Sequence, residues 1–430
     1  MRCVDVGILR APRIRFDLSG GFTLSGSPVS ENNEITIGSG KLCYRGEHYD
    51  SLEFKPVAQD SLITLHDVVI GVGFHWQRCE QQSFKGELRF IVEDGEVRAI
   101  NRIPVEEYLV SVISSEMSAT SSLEFLKAHT VVSRSWLYAQ LLRKEAQTLS
   151  ELGYVNDDEV VRWYAREDHT LFDLCADDHC QRYQGVTRAL NPNVRRAVEE
   201  TAGLVLKYGN EVCDARFSKC CGGVTERFGA CWENKEYDYL QAFRDVAGES
   251  LLPDLTTEDG AREWIENIPE SFCSTDDSRV LSQVLNGYDR ETADFYRWKV
   301  EYTQQQLSEL VNRRSGIDFG VIEDMLPVER GASGRLVRLR IVGSKRTVVV
   351  GKELEIRRWL SGTHLYSSAF VVDKENGYDG NLRFTLKGAG WGHGVGLCQI
   401  GAAMMGEMGF SFEDILLHYY RGAELGLVTV

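Results

Sequence analysis

The chain of 430 residues holds only eight prolines, which leaves no proline-rich linker, and it has no run of about eighteen apolar residues, which excludes a membrane-spanning helix. The opening stretch from Met1 to Arg10 also lacks an apolar segment of signal-peptide length. Positive charge is scarce: 48 Lys and Arg against 64 Asp and Glu leave a formal net charge of -16. Such a chain repels phosphate backbones, so nucleic acid is not an expected partner. Acidity argues, with less force, against strong binding to anionic membrane surfaces. There is no Gly-Lys-Ser/Thr phosphate loop and no dinucleotide-type glycine spacing.

What is present is cysteine, glycine and local pattern. The eleven cysteines are odd in number and cannot all pair within the chain. Cys175, Cys180, Cys213, Cys220, Cys221 and Cys231 crowd together, which points to metal binding or a reducing compartment more than to a spaced disulfide framework. The length exceeds one ordinary core and implies two or more subdomains. Residues 1–100 alternate in polarity like strands, with an Asp94-Gly95 hairpin turn. Val105, Tyr108, Leu109, Val112 and Ile113 make a helical stripe after Pro104 that ends near Glu116. Ser121 or Ser122 can cap a second helix running to about Leu142. Further helices are expected around 259–267 or 304–313 and near 412–420, and strands between Leu336 and Val350 and from Phe384 to Gly390.

Four constellations could carry chemistry. In the first, Glu116-Met117 precedes a helix bearing Lys127 and Arg134 on one face. Spacing alone favours a solvated helix-end carboxylate and two surface cations. In the second, His169, Cys175, His179 and Cys180 are the usual zinc ligand types within twelve residues. Asp173, Asp177 and Asp178 stand ready as outer contacts, although an inert thiol pair with two surface histidines fits the same letters. The third, Phe217 to Glu226, is a small-residue loop after a strand that lets a ligand approach the backbone; Cys220-Cys221 could suggest a nucleophile, but with no base beside them in sequence they read as two buried thiols. The fourth, Gly388 to Ala402, is a glycine-rich loop presenting Trp391, His393 and Gln399, groups that stack on sugar rings and bond their hydroxyls.

In order and spacing these motifs resemble the SpoIID/LytB family of stage II sporulation protein D and the amidase enhancers. The matching residues are Pro104 to Leu109, Glu116-Met117, Leu126-Lys127-Ala128 to Arg134, and Gln181-x-Tyr183-x-Gly185. They continue with Cys221 to Glu226, Gly388 to Ala402, and Ile415 to Gly422. The chain departs from the pattern at Ser118, where proline is usual, and at Cys398, where serine is frequent. The resemblance implies lytic transglycosylase action on peptidoglycan glycan strands or fragments, or else enhancement of a cell-wall amidase by a non-catalytic glycan binder. It carries the acid/base role to Glu116. It also implies a structural zinc at His169, Cys175, His179 and Cys180, with no cofactor required for the chemistry. Lys127, Arg134, Gln181, Tyr183, Ser218, Thr225, His393 and Gln399 are the substrate-side candidates. One carboxylate suffices for such a reaction, because the sugar's own 6-hydroxyl replaces the activated water that hydrolases need. The family implies export to the cell envelope, which the opening residues do not echo.

The expected fold is α+β, a helical catalytic core with β-rich flanking subdomains around a substrate cleft. The expected division is a β-rich region at 1–100, a core with a metal-type insertion at 101–245, a mixed middle region at 246–380, and a completing segment at 381–430.

Overall fold

The computed structural model describes residues 2–71, 78–118, 120–145, 153–164, 169–177, 179–188, 191–284, 294–363, 365–377 and 382–428. Asp178, one of the expected outer carboxylates, lies outside them. The fold is mixed α+β. It comprises two compact units, one built from 2–118 and 169–203, the other from 120–164 and 204–428.

The first unit is a sandwich of two sheets with a helical appendage. One sheet runs in the order Leu174–Cys175, Cys3–Ala11, Glu96–Pro104, Glu87–Glu93, Ser51–Pro56, Phe22–Leu24, Ser27–Pro28. The other runs Arg78–Phe84, Leu62–Ile70, Arg13–Ser19, Asn32–Gly38, Lys41–Tyr44, Glu47–Tyr49. Alternation along each strand sends its apolar residues to one face. Phe16 of the second sheet meets Phe54 and Phe90 of the first, at ring separations of 5.2 and 4.9 Å. The Asp94-Gly95 turn closes the hairpin as its sequence requires, both residues having positive φ (51° and 80°), with Glu93 opposite Glu96.

Helix α1 (Val105–Glu116) follows directly. Pro104 is its N-cap, one position earlier than the sequence suggests, within the ordinary uncertainty of helix ends. Val105, Tyr108, Leu109, Val112 and Ile113 form its buried stripe. Glu106 and Glu107 sit at its positive end, and Glu107 pairs with Arg195 of α3 (Pro192–Glu200) at 2.9 Å. The helix stops because Met117 turns extended (φ -115°, ψ 150°) while its N–H still donates to the Ile113 carbonyl.

The second unit opens with α2 (Leu123–Glu145), a turn longer than expected, whose Phe125 N–H donates to Ser122 Oγ at 3.3 Å. Its other helices are α4 (Glu258–Asn267), α5 (Ser278–Val284), α6 (Gln304–Ser315), α7 (Glu353–Trp359), α8 (Gln399–Glu407) and α9 (Phe412–Tyr419). Both alternative helical stretches of the middle region are therefore present. Leu336–Gly343 and Thr347–Gly351 are the two strands expected there, part of a five-stranded sheet. Trp298, Phe319, Ile341, Ile356, Trp359 and Leu386 fill the core between that sheet, α6 and α7. Phe217–Ser218 pairs in parallel with Leu397–Cys398, which brings the glycine-rich segment back beside the Cys220-Cys221 loop.

Candidate functional site

Glu116 is the last residue of α1 and is 9% exposed. Its Oε1 lies 3.4 Å from the Arg182 backbone N–H, a long hydrogen bond. Among the described residues it forms no ion pair. A carboxylate withdrawn from water and not committed to a cation is available for proton transfer.

The segment that touches Glu116 is fixed on both sides. Gln181 is buried and its Oε1 accepts from Tyr108 Oη at 3.2 Å. Tyr183 is fully buried, stacks on Tyr108 with 5.1 Å between ring centres, and donates to Asn101 Oδ1 at 2.6 Å. Asn101 in turn donates to the Lys85 and Glu87 carbonyls. One residue before Gln181, Cys180 belongs to the thiol–imidazole cluster. The donor atoms of His169, Cys175, His179 and Cys180 all lie within 4.8 Å of one another. Cys180 Sγ is 3.6 Å from His169 Nε2 and 3.5 Å from His179 Nδ1, and Cys175 Sγ is 3.8 Å from His179 Nδ1. The adjacent His179 and Cys180 thus face the same point. Hydrogen bonding from Cys180, then from His169 and His179, outweighs burial and holds the Cys175 thiol well below its usual range. Two thiols and two imidazoles in this spacing fit a tetrahedral zinc ion. Asp173 is spent on the Asp5 backbone N–H at 3.0 Å.

The remaining candidates belong to the second unit. Lys127 pairs with Glu124 at 3.1 Å. Arg134 is fully buried and donates to the Leu204 carbonyl at 3.1 Å. Thr225 is equally buried, between the Gln241 carbonyl and the Phe243 N–H. Gln399 is 3.0 Å from His129 Nε2 inside the core. Ser218 Oγ is buried with no hydrogen-bond partner among the described residues. His393 accepts the Val395 N–H on Nδ1 at 3.0 Å. Burial, then the charges of Arg216, Arg335 and Arg357, push its imidazole well below the usual range. It is neutral at physiological pH, and the hydrogen bond at Nδ1 assigns the proton to Nε2.

Residues that sequence inspection passed over hold the glycine-rich loop. Gly390, Gly392, Gly394 and Gly396 all have positive φ. Between them, the Gly392 carbonyl accepts from Arg335 Nε and Nη2 at 3.1 and 3.0 Å. Arg335 is fully buried and also donates to the Cys221 carbonyl at 3.2 Å. Buried Glu226 accepts from the Arg227, Ala332 and Ser333 N–H groups. The Trp391 ring lies against Phe295, with 4.7 Å between centres and 12° between planes. No local pattern marks Arg335, because the two carbonyls it holds are 57 and 114 residues away.

Fold and site together define an α+β protein with a buried motif glutamate at a helix end and a thiol–imidazole cluster beside it. Residues 93–208 match the family model described as stage II sporulation protein, and 226–396 match a domain of unknown function. Stage II sporulation protein D of Bacillus amyloliquefaciens is 25% identical over 76% of this chain and 75% of its own. The corresponding protein of Bacillus subtilis (strain 168) is 24% identical over 76% of each. An amidase enhancer of Bacillus subtilis (strain 168) is 26% identical over 74% of this chain and 40% of its own length. Over residues 93–208 and across the relatives named, the chain is similar to the SpoIID/LytB family, and these matches support a cell-wall related role.

Proposed function

We propose that the protein is a peptidoglycan lytic transglycosylase. It cleaves MurNAc-GlcNAc linkages of peptide-free glycan strands and leaves 1,6-anhydro-MurNAc ends, with Glu116 as general acid and base. The observation that carries this reading is the buried Glu116 carboxyl, uncommitted to any cation among the described residues. Its proton passes to the glycosidic oxygen as the C1–O bond breaks. The resulting carboxylate then takes the proton of the C6 hydroxyl as O6 closes on C1, so no water is consumed. The Cys180-Gln181-Arg182 segment positions the acid through the Arg182 N–H. His169, Cys175, His179 and Cys180 would hold a zinc ion that stiffens this segment, outside the reaction itself.

The second reading, a non-catalytic glycan binder that enhances a cell-wall amidase, is favoured by the amidase-enhancer match. Incubation with peptide-free glycan strands and mass spectrometry of the products separates the two. Anhydro-muramyl ends that form with the native chain and fall roughly 10²–10⁴-fold in Glu116→Gln support the enzyme. Binding without products supports the enhancer. Products that persist in Glu116→Gln but vanish on chelation would point to metal hydrolysis and sink the role given to Glu116.

A further inference from the structure

Four side chains far apart in the chain converge inside the second unit. Cys221 follows the strand Phe217–Ser218, and Asp245 follows Arg244, whose backbone bridges Val224. Cys273 lies in a turn beyond Phe272, whose N–H donates to the Asp245 carbonyl at 2.7 Å. Cys398 is the N-cap of α8. Their donor atoms all lie within 4.8 Å of one another, and none of the four residues is more than 2% exposed. Cys221 Sγ is 3.5 Å from Cys273 Sγ and 3.4 Å from Asp245 Oδ2.

This geometry is that of a ligand shell. Zinc–thiolate bonds of about 2.3 Å in a tetrahedron put the sulfurs roughly 3.8 Å apart. In an ordinary thiol-lined core Asp245 Oδ2 would be left facing thiols, which are weak donors to a buried carboxylate. Asp245 Oδ1 is held by His418 Nε2 at 3.1 Å and Tyr419 Oη at 2.9 Å, which aims Oδ2 at the thiols. Ligand carboxylates are oriented in this way by their outer neighbours. Two backbone N–H groups also point at sulfur, Cys221 N–H at Cys398 Sγ (3.2 Å) and Gly223 N–H at Cys221 Sγ (3.4 Å). Such donors favour thiolates over thiols. Position 401 must be glycine for the arrangement to exist, because a Cβ there would come 2.5 Å from Asp245 Oδ2. A disulfide would occupy two of the sulfurs and leave the third and the carboxylate with nothing to face.

We propose that Cys221, Cys273, Cys398 and Asp245 form a second, buried site for a thiophilic divalent cation, zinc by its ligand types. Four protein ligands leave no open position, so the ion is structural. It ties the Cys220-Cys221 loop, the turn at Cys273 and the start of α8 to one point.

The test is the zinc content of the full chain, purified under reducing conditions, with sulfur coordination read by X-ray absorption. In the Cys175→Ser/Cys180→Ser variant, one zinc per chain is expected to remain, with three sulfur neighbours and one light-atom neighbour. Adding Cys273→Ser should remove it. A folded Cys175→Ser/Cys180→Ser variant without zinc overturns the proposal, as does zinc with two sulfurs or fewer, or a Cys221–Cys273 disulfide in peptide maps. The native chain decides the matter if that variant fails to fold. A mean of about 2.5 or three sulfurs per zinc supports the second site, because the first cluster alone supplies two. A mean of two, or no zinc, overturns it.

Discussion

Replacing Tyr183 by Phe separates a residue that builds the site from one that touches substrate. The family motif makes Tyr183 a substrate-side candidate, yet its ring is sealed between Tyr108 and Phe84, with centres 5.1 and 5.6 Å away. Burial pushes its phenol well above the usual range, so it acts only as a neutral donor. The partner, Asn101 Oδ1 at 2.6 Å, is fully buried, and the Asn101 amide nitrogen is already spent on two carbonyls. Removing the hydroxyl creates almost no cavity but strands that oxygen, at a cost of about 1–3 kcal/mol. For a unit of this size each kcal/mol is roughly 2–4 °C, so Tyr183→Phe should lower Tm by about 2–12 °C. The KM for glycan should stay near that of the native chain. Pairing it with Asn101→Leu should recover much of the loss, since no polar atom is then left unpaired. Calorimetry of the two variants beside glycan turnover checks this. A Tyr183→Phe protein with unchanged Tm and a raised KM would refute the structural role.

Two further outcomes follow from buried groups in the second unit. Burial first, and the charge of Lys219 second, lower His129 to about 3. In the unfolded chain it titrates near ~6.5, so only the unfolded chain takes up the proton between those values. Stability should therefore fall as pH drops from ~6.5 towards ~3, at up to about 1.4 kcal/mol per pH unit from this group. Urea unfolding at pH 7 and pH 4 should show a smaller loss in His129→Gln than in the native chain, and equal losses would contradict the assignment. Gly394 has φ +76°, and a Cβ there would lie 2.5 Å from the Arg335 guanidinium carbon. Glycine-to-alanine changes at compatible sites gain about 0.4–1 kcal/mol, whereas Gly394→Ala should lose at least ~1 kcal/mol. An unchanged urea midpoint would show that the loop is not held as described.

Features carried by local pattern could be read from the sequence. The Asp94-Gly95 turn, the stripe of α1, the ending near Glu116 and the strand pair from Leu336 all depend on neighbours within a few residues. The thiol–imidazole cluster was legible for the same reason, its members spanning twelve residues. What pattern could not reveal is burial decided by distant partners. Arg134, Thr225 and Gln399 look like exposed polar motif residues, but all three are inside the second unit. Cys221 looked inert because Asp245, Cys273 and Cys398 meet it only after folding. The long α2 also concealed its surroundings, because polar residues such as His129, Thr130, Ser133 and Gln140 are buried along it, so its periodicity singles out no one face.

The parallel pairing of Phe217–Ser218 with Leu397–Cys398 makes everything between them a closed excursion, leaving and returning at neighbouring strands. An insertion whose ends already meet can lengthen, shorten or be exchanged without pulling on its hosts. The segment 226–396, matched by its own domain family, is bracketed in this way. Remodelling of this stretch is free, however, only away from Asp245, Cys273 and Arg335, which fasten it to Cys221 and Cys398 at its base.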